Sequence, residues 1–356
     1  MTPAANVALR VLAGLFGTWI TVGTFLSAVK LVVVPRSGSQ RITRFVFGNV
    51  RHLVARIAPP SRDFVVRDRW YSMYAPVSLV MMPFTWLFLL TMGFGLIHWA
   101  ALGHEFLDAL TISGSSALTL GVAFDRSFPD PILSFIQAGM GIMLGSLLIS
   151  YLPTVYQSYQ RRETLVGMLE SRAGLPPSPI EALTRYQRIG ALDIIDDDLF
   201  ARWEKWFADI EESHTSVAAL VFFRSPQLDR SWITAAGAVL DTASIMLSCV
   251  DRPFSGRTAL CLRQGFMCLQ RIADYFEVTF NERPQPDDPI SVSRRDFDLM
   301  WIELVAADLP LKSDRDRAWA DFRGWRVNYD TVLVALCELT VAPDGRWSSD
   351  RLHQPG

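Results

Sequence analysis

The stretch Ala109-Leu-Thr-Ile-Ser-Gly-Ser-Ser-Ala-Leu-Thr-Leu-Gly-Val-Ala-Phe-Asp125 decides how the first half of this chain is read. It sits within His104 to Arg126, between two apolar runs long enough to cross a bilayer, and is itself too short to cross one. Ser113, Ser115, Ser116 and Thr119 crowd the point where a short helix would end. A lipid-exposed loop of that polarity would leave backbone groups unsatisfied, so such a segment is tolerated only where protein buries it or where it lines a water-filled cavity. The stretch therefore predicts a re-entrant helix and loop, with the negative end of the helix dipole turned toward a cavity that could hold a cation. The competing reading is a plain connection between two membrane helices, with Gly121 as an ordinary helix-ending glycine.

Working outward, Val11 to Val29 contains no charged residue, and Lys30 is followed by Leu31 to Val34 before Pro35 and Arg36. At about 1.5 Å per residue this is one full span, too long for the core of a signal peptide and without a convincing small-x-small cleavage site. A second span runs from about Tyr74 to Leu102, with Trp70, Tyr71, Tyr74, Trp86 and Trp99 along it and no Asp, Glu, Lys or Arg between Trp70 and His104. A third runs from about Pro131 to Tyr151, and Pro153 is expected to bend or end its last turn. Half of the 356 residues are hydrophobic and the net charge is only −2. That average hides an apolar half before Arg161 and an ordinary charged half after it, so a membrane region followed by a soluble one is expected.

Arg36, Arg41, Arg44, Arg51, Arg56, Arg62, Arg67 and Arg69, against Asp63 and Asp68, separate the first two spans, whereas only Arg126 separates the second from the third. The positive-inside rule makes the basic loop cytoplasmic, the short N-terminus external and the C-terminal region cytoplasmic. Arg161 and Arg162, just past the third span, agree with that orientation. Nucleic-acid phosphates would also attract this loop, but membrane lipids supply the same negative charge beside the helices, and no nucleic-acid partner is expected.

The second span, the short segment and the third span resemble the pore module of tetrameric potassium channels, over roughly Tyr74 to Arg162. Bacterial potassium-channel-like proteins with an added N-terminal helix and a helical cytoplasmic tail are similar further on, through Tyr151-Leu-Pro-Thr-Val-Tyr156, Arg161-Arg-Glu163, Arg172-Ala-Gly-Leu-Pro-Pro177, Glu212-Ser-His214 and Arg224-Ser225. In that family a Thr-x-Gly-aromatic-Gly-Asp filter turns backbone carbonyls toward a dehydrated cation, and glycine supplies the positive φ this requires. Thr119, Leu120 and Gly121 match the first positions, Val122 stands in place of the aromatic and Ala123 in place of the second glycine. A shifted alignment makes Phe124 the aromatic and Asp125 the acid, and it does not restore the second glycine either. The resemblance implies ion coordination by Thr119, Leu120, Gly121, Val122 and Ala123, potassium as the transported ion, and a homotetramer, since one chain supplies one filter strand. On the third span, Gly141 and Gly145 suit a gating hinge, while small residues four apart also let membrane helices pack closely, the role their spacing favours. Gln137 is expected to face the pore or the short helix rather than lipid.

Beyond Arg161 a helix continues or follows the third span and stops at Gly174 before Pro176, Pro177 and Pro179. Asp193, Asp196, Asp197 and Asp198 lack calcium-loop spacing and are expected to cap a helix carrying Trp203, Trp206, Phe207 and Ile210. Trp232 to Val250 is apolar enough for a fourth span, but Asp241 at its centre would be costly in lipid. It is expected to be the core helix of a bundle, beside Arg257 to Val278 and Arg294 to Ala306, with Asp316 to Leu339 closing it. Cys249, Cys261, Cys268 and Cys337 form no CxxC pair and suit reduced core thiols. His52, His98, His104, His214 and His353 are dispersed, giving no metal pair, and Glu211, Glu212 and His214 lack other acid-base support. No GxSxG motif, hydrolytic carboxylate pair or Gly-rich phosphate loop occurs, so neither an enzyme nor a cofactor is expected.

The expected fold is an all-α membrane protein, three transmembrane helices with a re-entrant pore helix and filter loop, plus a soluble α-helical C-terminal domain. Its expected parts are an N-terminal transmembrane helix (1–35), a basic cytoplasmic loop (36–70), a pore domain (71–160, its loop at 104–126), a linker helix (161–177) and a cytoplasmic helical domain (178–356). The expected function is a homotetrameric ion channel in the bacterial inner membrane, passing monovalent cations. The alternative is a non-conducting, channel-like scaffold or sensor whose cytoplasmic domain binds a protein partner. No arginine ladder lies within a span, which argues against a voltage sensor of the usual kind.

Overall fold

A computed structural model describes residues 3–33, 41–58, 64–103 and 105–353. Pro35, Arg36, Arg62, Asp63 and His104, which entered the sequence reading, lie outside the described residues. Among the described residues the regular elements are helices, with one isolated antiparallel bridge between Val250 and Leu311. In chain order they are α1 (Pro3–Val33), α2 (Arg41–Ile57), α3 (Phe64–Tyr71), α4 (Tyr74–Leu102), α5 (Phe106–Ala117) and α6 (Asp130–Ala173). There follow α7 (Pro179–Arg188), α8 (Ala201–Ser216), α9 (Trp232–Ser248), α10 (Gly256–Tyr275), α11 (Arg294–Ala306), α12 (Arg315–Arg326) and α13 (Asp330–Thr340). The chain divides into two compact units, Met1–Ala58 with Met73–Tyr156, and Pro59–Ser72 with Gln157–Gly356.

Three helices are long and apolar enough to cross a membrane: Ala4–Val32, Val65–Leu102 and Asp130–Ala173. Leu12, Trp19, Phe84, Phe88, Phe135 and Ile149 are exposed on them, an apolar surface that lipid would cover. Helices α1 and α4 run antiparallel at close range because small residues meet where they cross. A Cβ on Gly17 would come within 2.5 Å of the Gly93 carbonyl oxygen, and one on Gly93 would collide with the Thr21 hydroxyl. At the far end Arg10 donates to the Gly103 carbonyl at 3.3 Å and lies over the Trp99 ring. The basic loop contains two helices that counting arginines does not reveal. Val46, Val50 and Val54, four residues apart, are the buried stripe of α2 and pack it along α4.

Pro153 lies inside α6 and does not end it, because the helix runs on through Arg161 and Arg162 to Ala173. Gly174, at φ +76°, then stops it, and Ser178 followed by Pro179 at the first helical position starts α7. In the second unit α9 is the centre, buried almost throughout and packed by α7, α10, α12 and α13. Asp241, at the middle of α9, pairs with the fully buried Arg326, which also binds Asp330 at 2.7 Å and the Trp347 carbonyl at 2.5 Å. Tyr329 donates to Asp241 at 2.8 Å. Burial pulls the Arg326 guanidinium down, but the flanking Asp241 and Asp330 carboxylates outweigh it and hold it well above its ordinary value. The segment Asp316 to Leu339, expected to close the bundle, falls into two helices, α12 and α13, both packed on α9, and the Arg326–Tyr329 corner between them supplies this network.

The acidic run is also corrected. Asp196, Asp197 and Asp198 lie within a helical turn that leads into α8 and make no cap bond to it. Asp196 instead accepts from Ser255 at 2.9 Å, from Thr258 at 2.5 Å and from Arg252, tying this turn to the start of α10. Asp198 accepts from Arg172 at 3.0 Å and Tyr186 at 2.5 Å, tying the end of α6 to α7. The Arg172 hydrogen bonds hold the Asp198 carboxyl below its ordinary range. The four cysteines are free and buried, and burial pushes the Cys249 and Cys337 thiols up to about 12.

Candidate functional site: the short helix and its loop

Helix α5 has 12 residues, about 18 Å of rise, against roughly 30 Å of bilayer hydrocarbon. Its buried Ser113 is paired with both neighbouring helices. Ser113 donates to the Thr91 carbonyl of α4 at 2.7 Å, and Gln137 of α6 donates to the Ser113 carbonyl at 2.9 Å and to its hydroxyl oxygen at 2.8 Å. Gln137, fully buried, thus faces the short helix rather than lipid. Gly141 decides how closely α6 passes α5, because a Cβ there would collide with the Ala117 carbonyl oxygen, whereas nothing lies within 4 Å of one built on Gly145. The two glycines singled out together therefore differ: Gly141 is a packing position, and Gly145 has open space.

Gly121 does not end α5. The Leu120 amide donates to the Ser115 carbonyl at 2.8 Å and the Thr119 amide to the Ser116 carbonyl at 3.1 Å, a paired closure that puts Thr119 in the left-handed position at φ +55°. A β-branched residue is rarely found there, so the strain falls on Thr119. Gly121 is left-handed as well, at φ +68°, while Ala123 is not among the positive-φ residues. Its amide donates to the Ser115 hydroxyl oxygen at 3.1 Å, so one serine holds both the helix end and the loop. Thr119, Leu120, Gly121 and Val122 are exposed and Ala123 half-buried. Among the described residues, the carbonyl oxygens of Thr119 to Ala123 accept no hydrogen bond.

Beyond the loop, the Asp125 amide donates to Asp130 at 2.9 Å, and the Ser127 amide to Asp125 at 2.7 Å. The other Asp130 oxygen lies 2.6 Å from His98 Nδ1, both side chains being fully buried. Sequence reading passed over this pair by treating the histidines only as metal ligands. The signal was there, because a lone ionisable side chain inside an apolar span calls for a partner.

In the second unit the Arg161–Glu163, Glu212–His214 and Arg224–Ser225 stretches come together. Arg162, fully buried on α6, donates to the Leu220 carbonyl at 2.6 Å and the Phe223 carbonyl at 2.7 Å, and stands 3.4 Å from His214 Nε2. Arginine has only donors, so Nε2 is the acceptor and the proton belongs on Nδ1, 3.1 Å from the Ser213 hydroxyl. Burial, reinforced by Arg162, pushes the His214 imidazole well below its ordinary value and keeps it neutral. Arg224 pairs with Asp68 of α3 at 3.3 Å and donates to the Val341 carbonyl at 2.8 Å. Among the described residues no cluster of His, Cys, Asp and Glu is arranged to hold a metal. In comparisons with protein-family models, curated proteins and solved structures, none matches the chain.

Proposed function

We propose that this chain forms a channel for monovalent cations, potassium foremost, assembled from four copies in the bacterial plasma membrane. The reading rests on one observation above the rest: the exposed run Thr119 to Ala123, at the end of a helix too short to span, keeps its carbonyl oxygens uncommitted. Uncommitted carbonyls are what replaces the water around a dehydrated cation. In this reading α5 is the re-entrant pore helix and the first half of α6 the pore-lining helix. The N-terminus is external, and the region after α6 is a cytoplasmic domain. Four copies are required because each contributes one strand to the filter.

A second reading, a non-conducting scaffold with a pore-like fold and a cytoplasmic protein partner, is favoured by Ala123. Its amide is tied to Ser115, and the left-handed geometry a second filter glycine would supply is missing. Ion flux through the purified full-length protein in liposomes, under potassium and then sodium gradients, separates the two. Wild-type flux that is lost in Gly121→Ala supports the channel. Nothing lies within 4 Å of a Cβ at Gly121, so the substitution alters backbone preference without a clash, at a cost of about 1 kcal/mol. Flux equal in both proteins would remove the filter from the explanation, and absence of flux under all gradients would favour the scaffold.

A further inference from the structure

A groove of about 610 Å³ opens in the first unit between α1, α2 and α4. Its apolar wall includes Trp19, Ile20 and Leu89, and its rim carries Lys30, Arg41 and Arg44. Along α1 it reaches from Lys30 back to Trp19, about 16 Å of helix. One leaflet of bilayer hydrocarbon is about 15 Å deep. The three helices that form it contain no Asp or Glu. Gly23 lies in the lining, and a Cβ built there would meet nothing within 4 Å, which leaves the middle of the groove open.

We infer that this groove holds one anionic phospholipid, its phosphate among Lys30, Arg41 and Arg44 and an acyl chain along Trp19, Ile20 and Leu89. A cationic rim over an apolar slot the depth of one leaflet complements that molecule at both ends. Neither a soluble phosphate, which has no use for the slot, nor a neutral lipid, which has no use for the rim, does so. The amphipathic α2 closes one side of the slot with Ile42, while its valine stripe anchors it to α4. Bound lipid would therefore hold α2 against the membrane helices. The inference requires that α1 and α4 lie in a bilayer and is independent of ion conduction.

Native mass spectrometry of the purified full-length protein, titrated with phosphatidylglycerol, phosphatidylcholine of the same chains, and glycerol 3-phosphate, tests it. Phosphatidylglycerol is expected to bind more tightly than phosphatidylcholine by on the order of 10- to 100-fold, as expected for a few cations near a lipid surface. Glycerol 3-phosphate is expected not to compete. Lys30→Gln/Arg41→Gln/Arg44→Gln should bring phosphatidylglycerol down to the phosphatidylcholine level. Arg51→Gln/Arg56→Gln, which removes charge from α2 outside the groove, should leave the preference intact. Gly23→Leu fills the slot without changing charge or straining the helix, and should also lose the tight adduct. Equal binding of the two lipids, equal loss in the Arg51/Arg56 variant, displacement by glycerol 3-phosphate, or full binding by Gly23→Leu would each overturn the inference.

Discussion

Single side chains carry the sharpest distinctions. Gly141 and Gly145 look equivalent in sequence, but only Gly141 passes against a backbone carbonyl. Gly141→Val is expected to destabilise the first unit by about 1–3 kcal/mol through overpacking. Gly145→Ala should be neutral or stabilising by up to about 1 kcal/mol. Thermal unfolding of the two variants in the same detergent reads the difference, and equal Tm shifts would remove the packing role of Gly141. His214 sets a pH window. Its folded-state pKa is depressed, so the unfolded chain takes up the proton more readily, and stability present above about pH 6.5 falls as the pH drops below it. The wild-type Tm should fall between pH 6.5 and 5, by up to about 1.4 kcal/mol of stability per pH unit. His214→Gln can still accept from Arg162 but cannot titrate, so its profile should be flatter, and an unchanged acid slope would place the titration elsewhere.

At the level of elements, how much the sequence discloses depends on the kind of signal. The second span coincides with α4, Tyr74–Leu102, because an unbroken apolar run between charged flanks has few alternatives. Helix α2 was hidden because its arginines dominate the composition and its valine stripe shows only when read four residues at a time. The acidic turn before α8 misleads because acids at a helix start suggest caps, and their partners, Arg172, Arg252 and Thr258, lie far away in sequence. The loop after α5 was legible as a break but not in detail. Glycine marks left-handed backbone in sequence, so Gly121 stands out, whereas Thr119 takes the helix-ending position through the Ser115 and Ser116 carbonyls. Gln137→Leu tests whether the α5–α6 tie matters, since it removes both bonds to Ser113. A loss of about 0.6–2 kcal/mol is expected by unfolding measurements, together with lowered flux if the loop is a filter. Unchanged stability would show that the tie is idle.

For the molecule as a whole, each unit solves its polar burden differently. The first surrounds a short polar helix with apolar ones, and the second buries a charge network at its centre. Asp241 shows why Trp232–Ser248 is a core helix and not a fourth crossing: its carboxylate meets Arg326 and Tyr329 inside a bundle. Asp241→Ala would leave Arg326 buried with half its compensation, and a loss of about 3–5 kcal/mol is expected. Asp330→Asn, which retains hydrogen-bonding capacity beside Arg326 and Ser291, should cost less. Chemical denaturation of the full-length protein ranks the two, and the reverse order would contradict the central place given to Asp241.

Current through the purified protein in a planar bilayer, with potassium on one side and sodium on the other, bears most directly on the proposed conduction. The expected result is a cation current whose reversal potential favours potassium and which disappears in Gly121→Ala. A membrane that stays silent at all voltages and pH values, with protein shown to be inserted, would contradict conduction through Thr119 to Ala123.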